Sequence, residues 1–245
     1  MGNPDKRSLD SISQEEIQRW IASPRFRAFL EEANGDHAQA IALYDWNVCM
    51  SAVFFEALSY TEVLLRNVLD AQIAPVSHHQ PAVESWLCDP SILNEKSLEI
   101  VGDAIRSIER EKKEPTRARV VAKLSFGFWR ALLDKRYKEL WISRLHRGFP
   151  NGTGDRAEVA RLLSKLNPFR NRIAHHEPIL NADIAQRHDE MLTLVRLMDK
   201  EAARWVSSRS CVPILLDWRP PLTAKQKMLG KIGLTPRTIR FHQYG

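Results

Sequence analysis

Glycine is scarce in this chain, 10 in 245 residues, and no run alternates Val, Ile and Thr as a strand does. Both absences point to helices. Cysteine is scarcer still: Cys49, Cys88 and Cys211 are odd in number and far apart, which excludes a disulfide frame and suits a reducing cytoplasm. No apolar stretch approaches the roughly 20 residues of a membrane span. The best run, residues 46–55, is closed off by Asp45 and Glu56. Residues 1–7 lack the apolar core of a secretion signal. A Gly-rich phosphate loop is missing, so NTP hydrolysis has no support, and no serine or cysteine has the surroundings of an activated nucleophile. The expectation is a cytoplasmic protein with no cofactor and no membrane attachment.

What is present is ordinary for a folded chain: 44% hydrophobic and 27% charged residues, enough for a sizeable core. The net charge of +6 is unevenly placed. Arg219, Lys225, Lys227, Lys231, Arg237 and Arg240 meet no Asp or Glu between 219 and 245, so the first 218 residues are balanced. Residues 219–245 therefore read as a basic tail that either favours a polyanion or merely aids solubility.

Along the chain, Ser13 and Glu16 resemble a helix start, a second helix is expected from Pro24 to Glu32, and Asn34-Gly35 breaks it. Residues 37–73 contain neither Gly nor Pro and allow one long helix or two joined ones, apolar on several sides through Phe55, Leu58, Leu65 and Leu69. Residues 75–90 read as a loop containing His78 and His79. A helix is expected over 94–112, then a break at Lys113-Glu114-Pro115-Thr116, a basic segment from Arg117 to Lys123, and an aromatic helix opened by Phe126, Phe128 and Trp129. The clearest turn is Phe149-Pro150-Asn151-Gly152-Thr153-Gly154. Val159, Leu162, Leu163, Leu166, Phe169 and Ile173 keep helical spacing beyond it. Pro168 either kinks that helix or stands in the first turn of a new one capped by Asn167. Ile184, Met191, Val195, Met198, Ala202 and Trp205 outline a last amphipathic helix. The expected architecture is all-α, a helical bundle over residues 1–218 with short N-terminal helices (10–36) packed on it.

Two segments concentrate polar groups on otherwise apolar helices. In the first, Glu62 lies on the stripe of Leu58, Leu65 and Leu69, four residues from Arg66; the plain reading is an i,i+4 ion pair at the core edge. The second is Arg170-Asn171-Arg172-Ile173-Ala174-His175-His176-Glu177-Pro178-Ile179. Asn171 and His175 share a face, whereas Arg170 and His175 are about 140° apart on a helix of 3.6 residues per turn. Convergence of those two needs a helix end near His175 or a second copy of the chain. The plain reading is a helix C-terminus whose last carbonyls are satisfied by His175 and His176. Metal binding is disfavoured, because adjacent His175 and His176 point about 100° apart and no other His or Cys cluster assists. Trp and Phe at 126, 128, 129 and 141 can stack on bases, but helical spacing favours the core. Arg117, Arg119 and Lys123 form a candidate backbone-binding patch, with Arg172 as a further candidate.

Glu62, Arg66 and Asn67 on one helix, followed by the Arg170–Ile179 segment, resemble the HEPN superfamily and more narrowly the bacterial Abi-like (abortive infection) family. Tyr44-Asp45-Trp46-Asn47, the segment from Leu58 to Asn67, and Leu124-Ser125-Phe126-Gly127-Phe128-Trp129 extend the resemblance to residues 20–215. It implies a HEPN-like bundle that dimerises with its Arg-x4-His motifs near the interface. It also implies a metal-independent endoribonuclease of phage defence or toxin–antitoxin systems, restrained by an antitoxin or triggered by a phage-derived activator. Arg170, Asn171 and His175 match the catalytic positions, and Glu62, Arg66, Asn67 and His176 the supporting ones. A non-catalytic module binding RNA, a nucleotide or a partner protein is the alternative. A purely structural helical protein is the third reading.

Overall fold

The computed structural model describes residues 14–21, 23–74 and 81–220. The fold is all-α. Its helices are α1 (Gln14–Ile21), α2 (Ser23–Glu32), α3 (His37–Ile73), α4 (Glu95–Arg110), α5 (Arg117–Lys123), α6 (Phe126–Ala131), α7 (Lys138–Ser143), α8 (Arg156–Ala174), α9 (Ile184–Met198), α10 (Lys200–Arg209) and α11 (Val212–Asp217). No strand occurs among the described residues, and Pro81 with Thr116 forms only an isolated antiparallel bridge. Ser13, His78, His79 and the tail beyond Pro220 lie outside the described residues.

The chain groups into two compact units. Unit 1 takes the described residues up to Phe55, Asn171–Ala185 and those from Cys211; unit 2 takes Glu56–Arg170 and Gln186–Ser210. In unit 1, Phe26, Phe29 and Tyr44 pack as an aromatic cluster, with Phe29 edge-on to Tyr44 at 5.3 Å. The buried Trp46 donates its Nε1–H to the Leu215 carbonyl at 2.8 Å. The Arg219 guanidinium lies 5.3 Å from the centre of the Trp46 ring and 2.8 Å from Glu32 Oε1, so the chain is fixed where it leaves α11.

Unit 2 is organised around a buried charge. Asp70 is almost wholly enclosed, as is Arg117. Arg117 lies 3.7 Å from the Asp70 carboxylate and donates to the Ala74 carbonyl at 3.0 Å, while Trp86 Nε1–H donates to Asp70 Oδ1 at 2.8 Å. These bonds supply what a desolvated carboxylate requires. They also tie the C-terminal end of α3 to α5 and to the segment around Trp86. The Ile73 carbonyl, a second open acceptor at that helix end, takes Arg144 Nη1–H at 2.6 Å. Trp86, Phe128 and Trp129 pack together nearby, and all are buried. The aromatics at 126, 128, 129 and 141 are thus core residues, not a base-stacking platform.

Two expectations are corrected, and the alternatives at Pro168 are decided. The helix outlined by Ile184 to Trp205 breaks at Asp199, whose carboxylate caps α10 by accepting from the Glu201 and Ala202 amides. Pro168 does not open a new helix, because α8 runs unbroken from 156 to 174 with the proline inside. Within α3, a helix long and apolar enough by length and composition to cross a membrane is present, although the sequence run seemed too short. One face of it supplies core residues, among them Leu43, Met50, Phe54, Leu58, Leu65 and Leu69. It also carries Glu56, Glu62, Arg66 and Asp70, the pattern of a core helix.

Breaking the Asp70–Arg117 pair from one side leaves a buried charge unmatched. Arg117→Met should lower unfolding stability by about 3–5 kcal/mol in a urea titration, and Asp70→Asn added to it should recover part of that loss. Equal stability of wild type and Arg117→Met would show the pair to be dispensable.

Candidate functional site

Glu62 is held on α3 between the buried residues Leu58, Thr61 and Leu65. It does not pair with Arg66 as the i,i+4 spacing suggested. Its carboxylate lies 3.5 Å from Arg170 Nη2 on α8, and the two side chains are 21% and 24% exposed. Arg66 turns away and donates to the Ala122 carbonyl at 3.3 Å. Its Nε is buried and meets no acceptor among the described residues. Glu62 thus meets one guanidinium, that of Arg170, while Arg66 is engaged on a backbone carbonyl. Both groups are mostly buried, so solvent screens the pair only in part. What the pair fixes is the direction of the Arg170 fork. Asn67, one position on from Arg66, is exposed.

The segment after Arg170 belongs to unit 1. The His175 amide donates to the Asn171 carbonyl at 2.9 Å, so helical bonding continues through His175. The chain then reverses. The Glu177 amide donates to the Arg172 carbonyl at 2.8 Å, the His176 amide donates to the Ile173 carbonyl at 3.1 Å, and His176 has φ +56°. This is the left-handed helix cap that glycine or asparagine usually provides. Asn34 (φ +52°) and Lys112 (φ +56°) close α2 and α4 in the same way. The last carbonyls of α8 are therefore met by backbone amides and not by imidazoles. The His175 and His176 rings make no hydrogen bond among the described residues, and Asn171, Arg172, His175, His176 and Glu177 are all exposed. Arg172 is engaged locally, 3.7 Å from Glu177 and donating to the Pro178 carbonyl. Two residues on, the buried Ile179 amide donates to Asn47 Oδ1 at 2.8 Å. Asn47 thus anchors the chain just past the motif, a role its place in an apolar helix did not reveal.

The residues of the candidate backbone-binding patch are engaged within the protein. Arg117 is fully buried on Asp70 and cannot meet a polyanion. Arg119 donates to the Glu114 carbonyl at 2.7 Å, and Lys123 pairs with Glu111 at 2.6 Å. Glu111, drawn by Lys113 and Lys123, has its pKa lowered to about 2, so the cluster is neutralised from within. The helix α5 turns Arg117 inward with Val120 and Val121.

Among the described residues no three His, Cys, Asp or Glu side chains are grouped to hold a metal ion. No family model, no curated protein and no solved structure matches the chain.

A left-handed backbone at a β-carbon-bearing residue costs about 1–2 kcal/mol. His176→Gly should accordingly raise stability by about 1 kcal/mol in chemical denaturation. No gain, or a loss, would mean that the imidazole holds the cap through its side chain.

Proposed function

We propose that this chain is a metal-independent endoribonuclease of the HEPN type, an Abi-like effector of phage defence that works in the cytoplasm as a homodimer with a HEPN-like helical bundle. One observation carries the reading. The Glu62 carboxylate of α3 meets the Arg170 guanidinium of α8 at 3.5 Å, the pairing of two distant motifs that the resemblance implies. The exposure of Asn171 and His175 at the end of α8 supports it further, since both side chains are open to a ligand.

RNA brings its own nucleophile. A base takes the proton of the 2′-hydroxyl, the 2′-oxygen bonds to phosphorus, and the bond from phosphorus to the 5′-oxygen breaks as an acid protonates the leaving group. The products are a 2′,3′-cyclic phosphate and a 5′-hydroxyl. His175 fits the base or acid role, because imidazole exchanges protons near neutral pH. The same residue of a second copy supplies the other half of the transfer. Arg170 presents a planar fork to the nonbridging oxygens and stabilises their charge in the transition state. Asn171, one helical turn before His175, orients the ring or the phosphate. Glu62 positions Arg170, and Arg66, one helical turn after Glu62 on α3, is a further supporting cation. Asn67 and His176 are the remaining supporting residues, His176 by closing α8. An antitoxin or a phage-derived trigger would control such an activity.

The purified protein should cleave RNA in the presence of EDTA and leave cyclic phosphate ends. His175→Ala and Arg170→Ala should each slow cleavage by at least about 100-fold, and His175→Ala should abolish growth arrest on expression. Full cleavage by both variants would sink the assignment. RNA binding without cleavage by the wild type would point to the non-catalytic module instead.

A further inference from the structure

Residues 130–147 of unit 2 hold six Lys or Arg against Asp134 and Glu139. Tyr137, Trp141 and Leu145 recur every fourth residue and are buried, which sets one side of this segment into the core. Lys135, Arg136, Lys138 and Arg147 are exposed. Asp134 is shared at 3.9 Å between Arg130 and Arg136, and Arg144 is taken by the Ile73 carbonyl. The side chains of Lys135, Lys138 and Arg147 make no ion pair and no hydrogen bond among the described residues, in contrast to those of Arg119 and Lys123. Their charges are uncompensated.

The end of the strip at Arg147 also has a defined place. A β-carbon built on Gly148 would stand 2.6 Å from Val68 Cγ1 and 3.4 Å from Gln72 Cγ, so the backbone beside Arg147 lies directly on α3. Val68 and Arg66 are two residues apart, hence about 200° apart around the helix. The Arg147–Gly148 end of the strip and the Glu62–Arg66 stretch therefore lie on opposite sides of α3. They are separated by about one helix diameter, roughly 10–12 Å. The face between them, Val63, Asn67 and Ala71, is exposed and carries no charge.

We propose that Lys135, Lys138 and Arg147, with Arg136, bind the phosphate backbone of single-stranded RNA and hold the strand across the neutral face of α3, with Arg66 and Arg170 on its far side. Two cationic flanks with an uncharged floor fit a flexible polyanion of successive phosphates. The proposal rests on the ribonuclease reading for its ligand. It replaces the patch at 117–123 as the place where RNA is held.

The test uses a fluorescent 2′-O-methyl oligoribonucleotide, which lacks the nucleophile and so stays intact, with anisotropy measured over a range of salt. Wild type should bind with an affinity that falls steeply with salt. Lys135→Ala/Lys138→Ala/Arg147→Ala should bind at least about tenfold more weakly and flatten the log–log salt slope by about 2, near 0.7 per lost phosphate contact. Lys135→Arg/Lys138→Arg/Arg147→Lys should restore binding. A thermal melt of the triple-alanine protein matching wild type would place the loss at the surface and not in folding. Unchanged affinity and slope in the alanine variant would overturn the proposal, as would binding of anionic phosphatidylserine vesicles but not of the oligonucleotide. Cleavage of the ordinary 2′-hydroxyl strand is measured in parallel. Strip-dependent binding with no cleavage removes the ribonuclease reading and supports the strip; cleavage with binding indifferent to the strip does the reverse.

Discussion

A carboxylate with almost no access to water sits at the end of the longest helix, and the arrangement of unit 2 follows from the need to satisfy it. Asp70 draws Arg117 inward and takes the indole N–H of Trp86. Arg117 in turn closes the Ala74 carbonyl. One polar residue thus fixes where α3 stops, where α5 starts and where the segment around Trp86 lies. The apolar residues of the same region, Phe128 and Trp129 among them, then pack against an already determined frame. Hydrophobic burial supplies the driving force here, and the buried pair supplies direction.

The parts of the fold legible in the sequence were those set by local rules. Freedom from Gly and Pro over 37–73 gave α3 its full length, and Asn34-Gly35 marked the end of α2 through a left-handed cap. Asn94 began α4 as expected of a capping side chain, with Oδ1 accepting from the Ser97 amide. The errors came where one local signal masked another. Asp199 looked like one polar position in an amphipathic run, yet it caps a new helix. Arg117 looked like part of a cationic surface, yet its partner Asp70 lies 47 positions earlier and no spacing rule connects them.

The candidate site divides along the same line. That Glu62 was misplaced on an apolar stripe was evident from helical periodicity. Its actual partner was not, because periodicity favours Arg66 at i+4 over Arg170 on another helix. The close of α8 was also half visible: Pro178 and the two histidines announced a helix end, but not that backbone amides would complete it and leave both imidazoles unengaged. A ring that is not needed for capping leaves His175 open to solvent.

Pro168 has one more effect. It brings no amide hydrogen to the middle of α8, so the Ser164 carbonyl, one turn earlier, loses its usual helical donor. Ser164 is exposed, and water can take the vacancy. The turn holding Phe169, Arg170 and Asn171 is consequently joined to the rest of α8 by a thinner ladder than an alanine at 168 would provide. Phe169 is buried and keeps the turn in register from the inside. The missing bond therefore lies on the solvent side of α8, one turn ahead of Arg170, while the apolar side of the same turn stays packed.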